Sequence, residues 1–192
     1  MSAQRCLAMV VVMSLISGTG FAGVIAVTNP SFEDPHQETF SEWSDATGWS
    51  TMNFHGLYPG ISSQGTQSMY LAQGAWTSQS LALVGQPATN YTLVVDLKGN
   101  WDGDQGILTL DVGGVSRDKT FDLPKDVWTT CTLEWQPLGQ VINPDSTMTI
   151  TLSGVNTDIL VDNVRLSSSP VPEPAALSLL GLALLGLLRR RA

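Results

Sequence analysis

One carboxylate near the end of the chain lies where the pattern predicts an apolar face. Asp162 shares its period-2 phase with three apolar residues, Leu160, Val164 and Leu166. A buried carboxylate must find a partner or lose its charge, and a Ca²⁺ ion held by oxygen ligands is one such partner. Two other interpretations stay open. Asp162 accepts backbone N–H bonds at a bulge, or the alternate phase of Ile159 and Val161 faces inward.

Aromatic side chains are the second group that could act on a ligand, because flat rings stack on sugar rings. Four of them lie in polar stretches, and we expect these to be exposed and to bind a glycan: Trp43, Trp76, Trp101 and Tyr58. Trp49 and Trp135 are assigned to the core instead.

An acidic segment has the spacing of a calcium-binding EF-hand loop. Its oxygen-bearing residues are Asn100, Asp102, Asp104 and Asp111. An EF-hand loop requires glycine where Gln105 stands, and it is flanked by helices, whereas these flanks are typical of strands. The segment is therefore predicted to be a solvated hairpin turn.

Catalytic motifs find little support. His36 and His55 are the only imidazoles, and neither has a zinc-site spacing. No nucleophile elbow or phosphate-binding loop occurs. A hydrolase of matrix polysaccharide would need two carboxylates about 5–9.5 Å apart, and nothing in the sequence selects a pair. The sequence thus favours a protein that is not an enzyme.

The elements that would position these residues are strands. Apolar residues alternate with polar ones around residues 91–98, 108–112, 131–135 and 147–152, and Gly- and Pro-containing turns separate these stretches. Short strands with this spacing predict one β-sandwich domain over residues 23–166. Between residues 23 and 170, five basic residues stand against sixteen acidic ones, a difference of −11. This charge argues against a nucleic-acid partner.

Both ends of the 192-residue chain have the composition of address signals. Residues 1–22 have a basic start, an apolar run and small residues before Gly23, which predicts a cleaved signal peptide. Residues 167–171 form a polar linker. The uncharged run at 175–188 is short for a membrane span, because fourteen residues of helix reach only about 21 Å. A simple membrane anchor remains the alternative interpretation of this end.

Residues 172–192 resemble the PEP-CTERM sorting signal of Gram-negative bacteria. The matching parts are a Pro-Glu-Pro motif, the apolar run and a basic cluster: Pro172, Glu173, Pro174, Arg189, Arg190 and Arg191. The resemblance implies processing by an exosortase and transient insertion into the inner membrane through the C-terminal helix. Delivery to the cell surface or to the exopolysaccharide matrix would follow.

Residues 24–166 resemble carbohydrate-binding-module-like and choice-of-anchor-type jelly rolls of the galactose-binding-like class. The similar segments, in chain order, are 28–33, 48–49, 65–71, 91–93, 98–103 with 108–110, and 161–166. Pro30 departs from the glycine usual in the opening motif. The resemblance implies a jelly roll with a structural Ca²⁺, for which Glu33 and Asp162 are the expected ligands.

Together these observations predict an exported, non-catalytic protein of the cell surface or matrix that interacts with a glycan. Two alternatives stay open. One is a structural surface protein without a specific ligand, which requires every aromatic residue to be buried or isolated. The less favoured one is a matrix polysaccharide hydrolase.

Overall fold

The computed structural model describes residues 23–84, 88–140, 142 and 147–171. The predicted signal peptide and the predicted C-terminal helix lie outside these residues. Within the described ranges, no helix is long and apolar enough to cross a membrane. In chain order the strands are β1 (Gly23–Ile25), β2 (Ser41–Glu42), β3 (Ser50–Met52), β4 (His55–Pro59), β5 (Gln67–Leu71), β6 (Trp76–Val84), β7 (Thr89–Gly99), β8 (Asp104–Val112), β9 (Val115–Leu123), β10 (Trp128–Trp135), β11 (Thr147–Gly154) and β12 (Ile159–Pro170).

The strands form two antiparallel sheets. The seven-stranded sheet has the order β10-β7-β12-β5-β4-β2, with β1 pairing to β12. The five-stranded sheet has the order β3-β6-β11-β8-β9. The predicted all-β sandwich is confirmed, and its core lies between the two sheets, as layered β domains require.

The alternating segments became the central strands of this sandwich. In β8, the burial of the side chains alternates residue by residue from Asp104 to Val112. Its apolar residues pair directly with those of β11, as in Leu108 with Leu152 and Leu110 with Ile150. One face of each strand is therefore in the core and the other meets water, which is the arrangement that period-2 alternation predicts.

The tryptophans assigned to the core are confirmed. Trp135 is fully buried, its ring lies 5.7 Å from that of Tyr91, and its Nε1 donates to the Val115 carbonyl at 2.9 Å. Trp49 is also buried and donates to the Thr28 carbonyl at 3.1 Å. Both indole N–H groups thus have an acceptor, as buried tryptophans need.

The last strand changes phase at one residue. Ile159 and Val161 face the core, and after Asn163, with φ at +52°, Val164 and Leu166 face it instead. The one-residue shift turns Asp162 to the outer face of the seven-stranded sheet. Both non-metal interpretations of Asp162 therefore describe part of the structure: the phase of Ile159 faces inward, and the carboxylate accepts backbone N–H bonds at the irregularity.

The first and last strands of the sandwich pair with each other. Gly23 lies opposite Ser168, and Ile25 lies opposite Leu166, in the β1–β12 ladder. The compact unit accordingly runs from Gly23 to Ser168.

Candidate functional site

Five aromatic side chains form a continuous row at one edge of the seven-stranded sheet. We call them the aromatic row; in order of contact they are Trp43, Phe54, Tyr70, Phe40 and Tyr58. The ring centroids of successive members lie 5.3, 5.8, 5.6 and 5.2 Å apart. The contacts are edge-to-face or tilted, the geometries that aromatic rings prefer.

Three short strands bring the row together. Tyr58 on β4 and Tyr70 on β5 lie on the face opposite the core residues Leu57 and Met69, because neighbouring side chains on a strand alternate. Gly56 on β4 leaves room for Phe40, since a Cβ there would lie 3.0 Å from the Phe40 ring and closer still to a carbonyl oxygen.

Two members of the row are exposed to solvent. Trp43 is 61% exposed and Phe40 is 38% exposed, while Phe54, Tyr58 and Tyr70 are half-buried. Isolated apolar residues on a surface need no explanation, but these exposed rings belong to one contiguous cluster, and contiguous apolar surface marks an interaction site.

Carboxylates surround the middle of the row. The Tyr70 hydroxyl donates to Asp158, and Glu42 is also close enough to act on it. Burial first, and then these two negative charges, raise the pKa of Tyr70 well above its ordinary value. Tyr70 therefore remains a neutral hydrogen-bond donor beside two acceptors.

A buried histidine lies beside the Trp43 end of the row. The His55 ring is 5.8 Å from that of Trp43. Its Nδ1 is 2.6 Å from the Asn53 carbonyl oxygen, and its Nε2 is 2.8 Å from Thr51 Oγ1 and 3.2 Å from Asp45 Oδ1. Thr51 also donates to Asp45. The histidine thus has one ring nitrogen on a carbonyl oxygen and the other beside a hydroxyl and a carboxylate.

The structure separates the four aromatic residues expected to bind a glycan. Trp43 and Tyr58 belong to the row, whereas Trp76 lies on β6 of the other sheet. Trp101 is 58% exposed in the turn between β7 and β8, with Lys125 Nζ 5.3 Å from its ring centroid. Sequence reasoning missed Phe40, Phe54 and Tyr70; the available signal was Tyr70 on the solvent phase between Met69 and Leu71.

Glu33 and Asp162 bind neighbouring parts of one loop. We call residues 61–67 the anchored loop. Asp162 Oδ2 accepts from the backbone N–H groups of Ser63 at 2.7 Å and Gln64 at 2.8 Å. Glu33 Oε1 accepts from Thr66 N at 2.7 Å, and its Oε2 accepts from the Thr66 hydroxyl at 2.6 Å.

The two carboxylates differ in their titration. Asp162 is fully buried, and this burial raises its pKa to about 6, against the opposing effect of its hydrogen bonds. For Glu33 burial acts in the same direction, but the hydrogen bonds from Thr66 and Gln67 outweigh it and lower the pKa.

The expected calcium ligands were tested against this geometry. Each carboxylate already accepts several N–H or O–H donors, Asp162 from Ser63 and Gln64 and Glu33 from Thr66 and Gln67. Among the described residues, no group of three or more His, Cys, Asp or Glu side chains is arranged to hold a metal ion. A calcium ion here would have to take carbonyl oxygens of the loop as further ligands, and it stays a prediction.

The acidic segment that resembles an EF-hand loop is the turn between β7 and β8, and because these strands lie in different sheets it is not a hairpin turn. Asp104 is buried there and accepts from Asn100 N at 2.6 Å and Trp101 N at 2.8 Å. Its carboxylate thus caps the turn from the inside. The prediction of a turn is confirmed, but the prediction that it is a solvated hairpin is wrong, because the chain crosses here from one sheet to the other and Asp104 is buried.

A charged centre that the sequence did not single out lies next to the anchored loop. Asp96 accepts from Ser63 Oγ at 2.9 Å, Thr130 Oγ1 at 2.8 Å and Asn163 Nδ2 at 2.8 Å. Arg165 completes the set at 3.2 Å. In the described part of the chain, every buried side-chain nitrogen and oxygen has a partner.

A shallow groove lies between β10, an edge strand of the seven-stranded sheet, and β9, an edge strand of the other sheet. In the seven-stranded sheet, β10 is at the opposite edge from the strands that carry the aromatic row. The volume of the groove is about 430 Å³, and β9 and β10 line it with Arg117, Asp118, Lys119, Thr132, Leu133 and Glu134. Lys119 Nζ is already bound to the Thr132 carbonyl oxygen at 3.2 Å.

Comparisons with known proteins find two family models that match this chain. The family described as HpiC1-like, HpiC1 cyclase, matches residues 23–167, and the PEP-CTERM protein-sorting motif matches residues 170–192. A search of the curated proteins finds none that matches this chain.

Solved structures share the fold at low sequence identity. A cyclase from Fischerella sp. TAU in complex with 4-(1H-indol-3-yl)butan-2-one has a TM-score of 0.65 and 20% identity, covering 78% of this chain and 99% of that one. The Stig cyclase Fisc from the same organism has a TM-score of 0.64 and 19% identity, covering 79% and 100%. The CBM22-1–GH10 modules of Clostridium thermocellum xylanase 10B, complexed with xylohexaose, give 0.52 and 14%, covering 71% and 29%.

These findings correct one expectation and support others. The expectation that the protein is not an enzyme is wrong, because the matching family and two structural neighbours are cyclases. The motifs missing from the sequence are those of hydrolases, zinc enzymes and nucleotide-binding enzymes, and their absence says nothing about a cyclase. The carbohydrate-binding-module-like fold and the sorting signal are confirmed, and the signal marks an exported protein processed by an exosortase-type enzyme.

The family match spans the whole sandwich, from β1 to nearly the end of β12. The chain belongs to the HpiC1-like cyclase family and carries a PEP-CTERM sorting motif behind its cyclase-like domain.

Proposed function

We propose that the aromatic row binds a polysaccharide at the cell surface or in the exopolysaccharide matrix of a Gram-negative bacterium. The observation that carries this proposal is the unbroken line of five rings, exposed at Trp43 and Phe40. The sorting motif would deliver the domain there after transient anchoring in the inner membrane.

The chemistry of the row suits a pyranose ligand. Exposed ring faces stack on the apolar faces of sugars, and nearby carboxylates accept hydrogen bonds from hydroxyl groups. Glu42 and Asp158 stand beside Tyr70 for this purpose. The rival expectation of a structural protein without a ligand required the aromatic residues to be buried or isolated, and the row meets neither condition.

The fold of the relatives supports the same proposal. The CBM22-1–GH10 modules of the xylanase, complexed with xylohexaose, share the sandwich architecture over 29% of their chain at 14% identity. A shared fold does not carry a ligand with it, so the proposal rests on the row itself.

Calorimetry of the full chain in mild detergent tests this function, with gluco-, xylo- and galacto-hexaoses as probes. Trp43→Ala should weaken binding about tenfold, which corresponds to about 1.4 kcal/mol. Trp101→Ala is the matched control, because Trp101 is similarly exposed but lies outside the row, and it should leave the affinity unchanged. Absence of binding to every hexaose, or equal losses in both variants, would contradict the proposal.

A second candidate function is cyclisation at the same surface. It is favoured by the His55–Asp45 pair beside Trp43, since ring closure within one molecule needs a group that delivers a proton and one that accepts it. Aromatic faces also stabilise positive charge as it develops. The indole ketone 4-(1H-indol-3-yl)butan-2-one, held by the Fischerella cyclase, is the natural probe.

Competition separates the two candidates. If cyclisation is the function, the indole ketone should bind, and Trp43→Ala should weaken its binding more than Trp101→Ala does. Binding of a hexaose that the indole ketone cannot displace would favour the glycan function.

A further inference from the structure

The elements that carry the aromatic row contain no strong cation. Residues 23–97 include no lysine and no arginine. The carboxylates placed at the row are Glu42 and Asp158 beside Tyr70, and Asp45 beside His55.

Each basic side chain of the sandwich is engaged elsewhere. Lys98 Nζ lies 3.4 Å from Asp126, and Arg165 lies 3.2 Å from Asp96. The others contact groups at the turns or at the β9–β10 groove: Arg117 with Gln140, Lys119 with Thr132 and Lys125 with Trp101. No basic residue among the described ones therefore offsets Glu42 and Asp158 at Tyr70.

Aromatic faces and carboxylates attract the same kind of ligand. The negative faces of the rings draw in a cation, and tryptophan does so most strongly. The carboxylates add Coulomb attraction, which is stronger near a protein surface than in bulk water. An anion placed at this surface would instead meet repulsion from both groups.

Tyr70 is the point where the two features meet. Its hydroxyl donates to Asp158 and lies within the field of Glu42, while its ring contacts Phe40 and Phe54. An ammonium group at this position would be attracted by both carboxylates and would contact the neighbouring rings.

We infer that the aromatic row selects a positively charged ligand, and that its polysaccharide is one with free amino groups, such as a polymer of glucosamine units. This inference rests on the proposed glycan function and adds the class of sugar. It excludes uronate polymers as the preferred ligand and ranks neutral polymers below aminated ones.

The test compares three oligosaccharides by calorimetry with the full chain at a mildly acidic pH: a β-1,4-glucosamine hexamer, its N-acetylated counterpart and an oligogalacturonate. The glucosamine hexamer should bind at least about tenfold more tightly than its acetylated form, and added salt should reduce this advantage by screening. The oligogalacturonate should bind weakest of the three.

Matched variants locate the effect. Glu42→Gln with Asp158→Asn should abolish the preference for the amine, so that the ratio of the two affinities falls to about one. Asp118→Asn with Glu134→Gln removes the same number of charges at the β9–β10 groove and should leave the preference intact.

The outcomes separate the two proposals. If no oligosaccharide binds, the glycan function fails and this inference fails with it. If the acetylated and free-amine hexamers bind equally, only the inference is overturned. A preference for the amine that both double variants reduce equally would also overturn it, because the net charge of the protein would then be the cause.

Discussion

The aromatic row and the anchored loop lie on the outer side of one sheet, and they differ in which groups they expose to solvent. The loop buries Asp162 and supplies it with three hydrogen bonds from Ser63 and Gln64, and the backbone N–H of Asn163 on β12 adds a fourth. The row leaves Trp43 and Phe40 in solvent, although their burial would be favourable.

The difference separates structure from function on this face. A buried polar group that is fully satisfied stabilises one conformation, so the loop has no need of a ligand to complete it. The exposed apolar surface of the row contributes no burial free energy to folding. That free energy is gained only when a partner covers the surface. Four predictions test this difference between the loop and the row.

The largest effect is expected at the anchored loop. Asp162→Ala removes the acceptor of several buried backbone N–H groups, each of which costs about 1–3 kcal/mol when left unpaired. The free energy of unfolding should fall by about 3 kcal/mol or more, as measured by denaturant titration. A loss below about 1 kcal/mol would mean that water replaces the carboxylate and that the loop is not a structural anchor.

Calcium gives the next effect. If Glu33 and Asp162 contribute to a calcium site, Ca²⁺ at a hundred times its Kd should stabilise the wild-type chain by about 2.7 kcal/mol. EDTA should remove this increment in a thermal melt, and the Asp162→Ala variant should lack it. A wild-type melt that is indifferent to EDTA would contradict calcium binding and leave the hydrogen bonds as the sole anchor.

The pH dependence of the two carboxylates should have opposite signs. Asp162 has a raised pKa of about 6 in the folded state, so its contribution to stability is present below its ordinary value of 3.8 and is lost as the pH rises toward 6. Glu33 has a lowered pKa, so its contribution is present above 4.5 and is lost as the pH falls below that value.

Paired variants measure these signs. As the pH rises from about 4 to 6, the stability advantage of the wild type over Asp162→Asn should shrink, whereas its advantage over Glu33→Gln should grow. Slopes of the same sign would show that the two carboxylates do not differ in their environment as the hydrogen bonds indicate.

The smallest effect on stability is expected at the row. Trp43→Ala removes a mostly exposed ring and should change the free energy of unfolding by no more than about 0.5 kcal/mol, although it weakens ligand binding. Trp135→Ala, in the core, should cost about 3–5 kcal/mol by the same measurement. Equal losses at the two tryptophans would mean that the row is part of the core.

The strands with a clear alternation could be predicted from the sequence, because one face of each is buried. Leu108, Leu110 and Val112 are examples, and all three are buried. The convergence of Phe40, Phe54 and Tyr70 could not be predicted, since it depends on how the short strands β2, β4 and β5 pair. Strands of two to five residues are too short to show a periodic pattern in the sequence.

The phase of β12 shows the same limit in a different way. Alternation continued from Val164 and Leu166 back through the strand places Asp162 in the core, but the residue at +52°, Asn163, shifts the register by one. Such a shift depends on a backbone conformation that the apolar pattern does not record.

The pairing of β12 has a mechanical consequence. Leu160, near its start, lies opposite Tyr70 of the row, and Ser168, eight residues later and roughly 25 Å along the strand, leads toward the sorting motif. A force between the rings and the chain beyond Ser168 would therefore pass from β5 into β12 through the three residue pairs at Ile159–Val161 and then run along β12. Because that force would act along the paired strands, the hydrogen bonds between β5 and β12 would be loaded in shear and together rather than opened one by one.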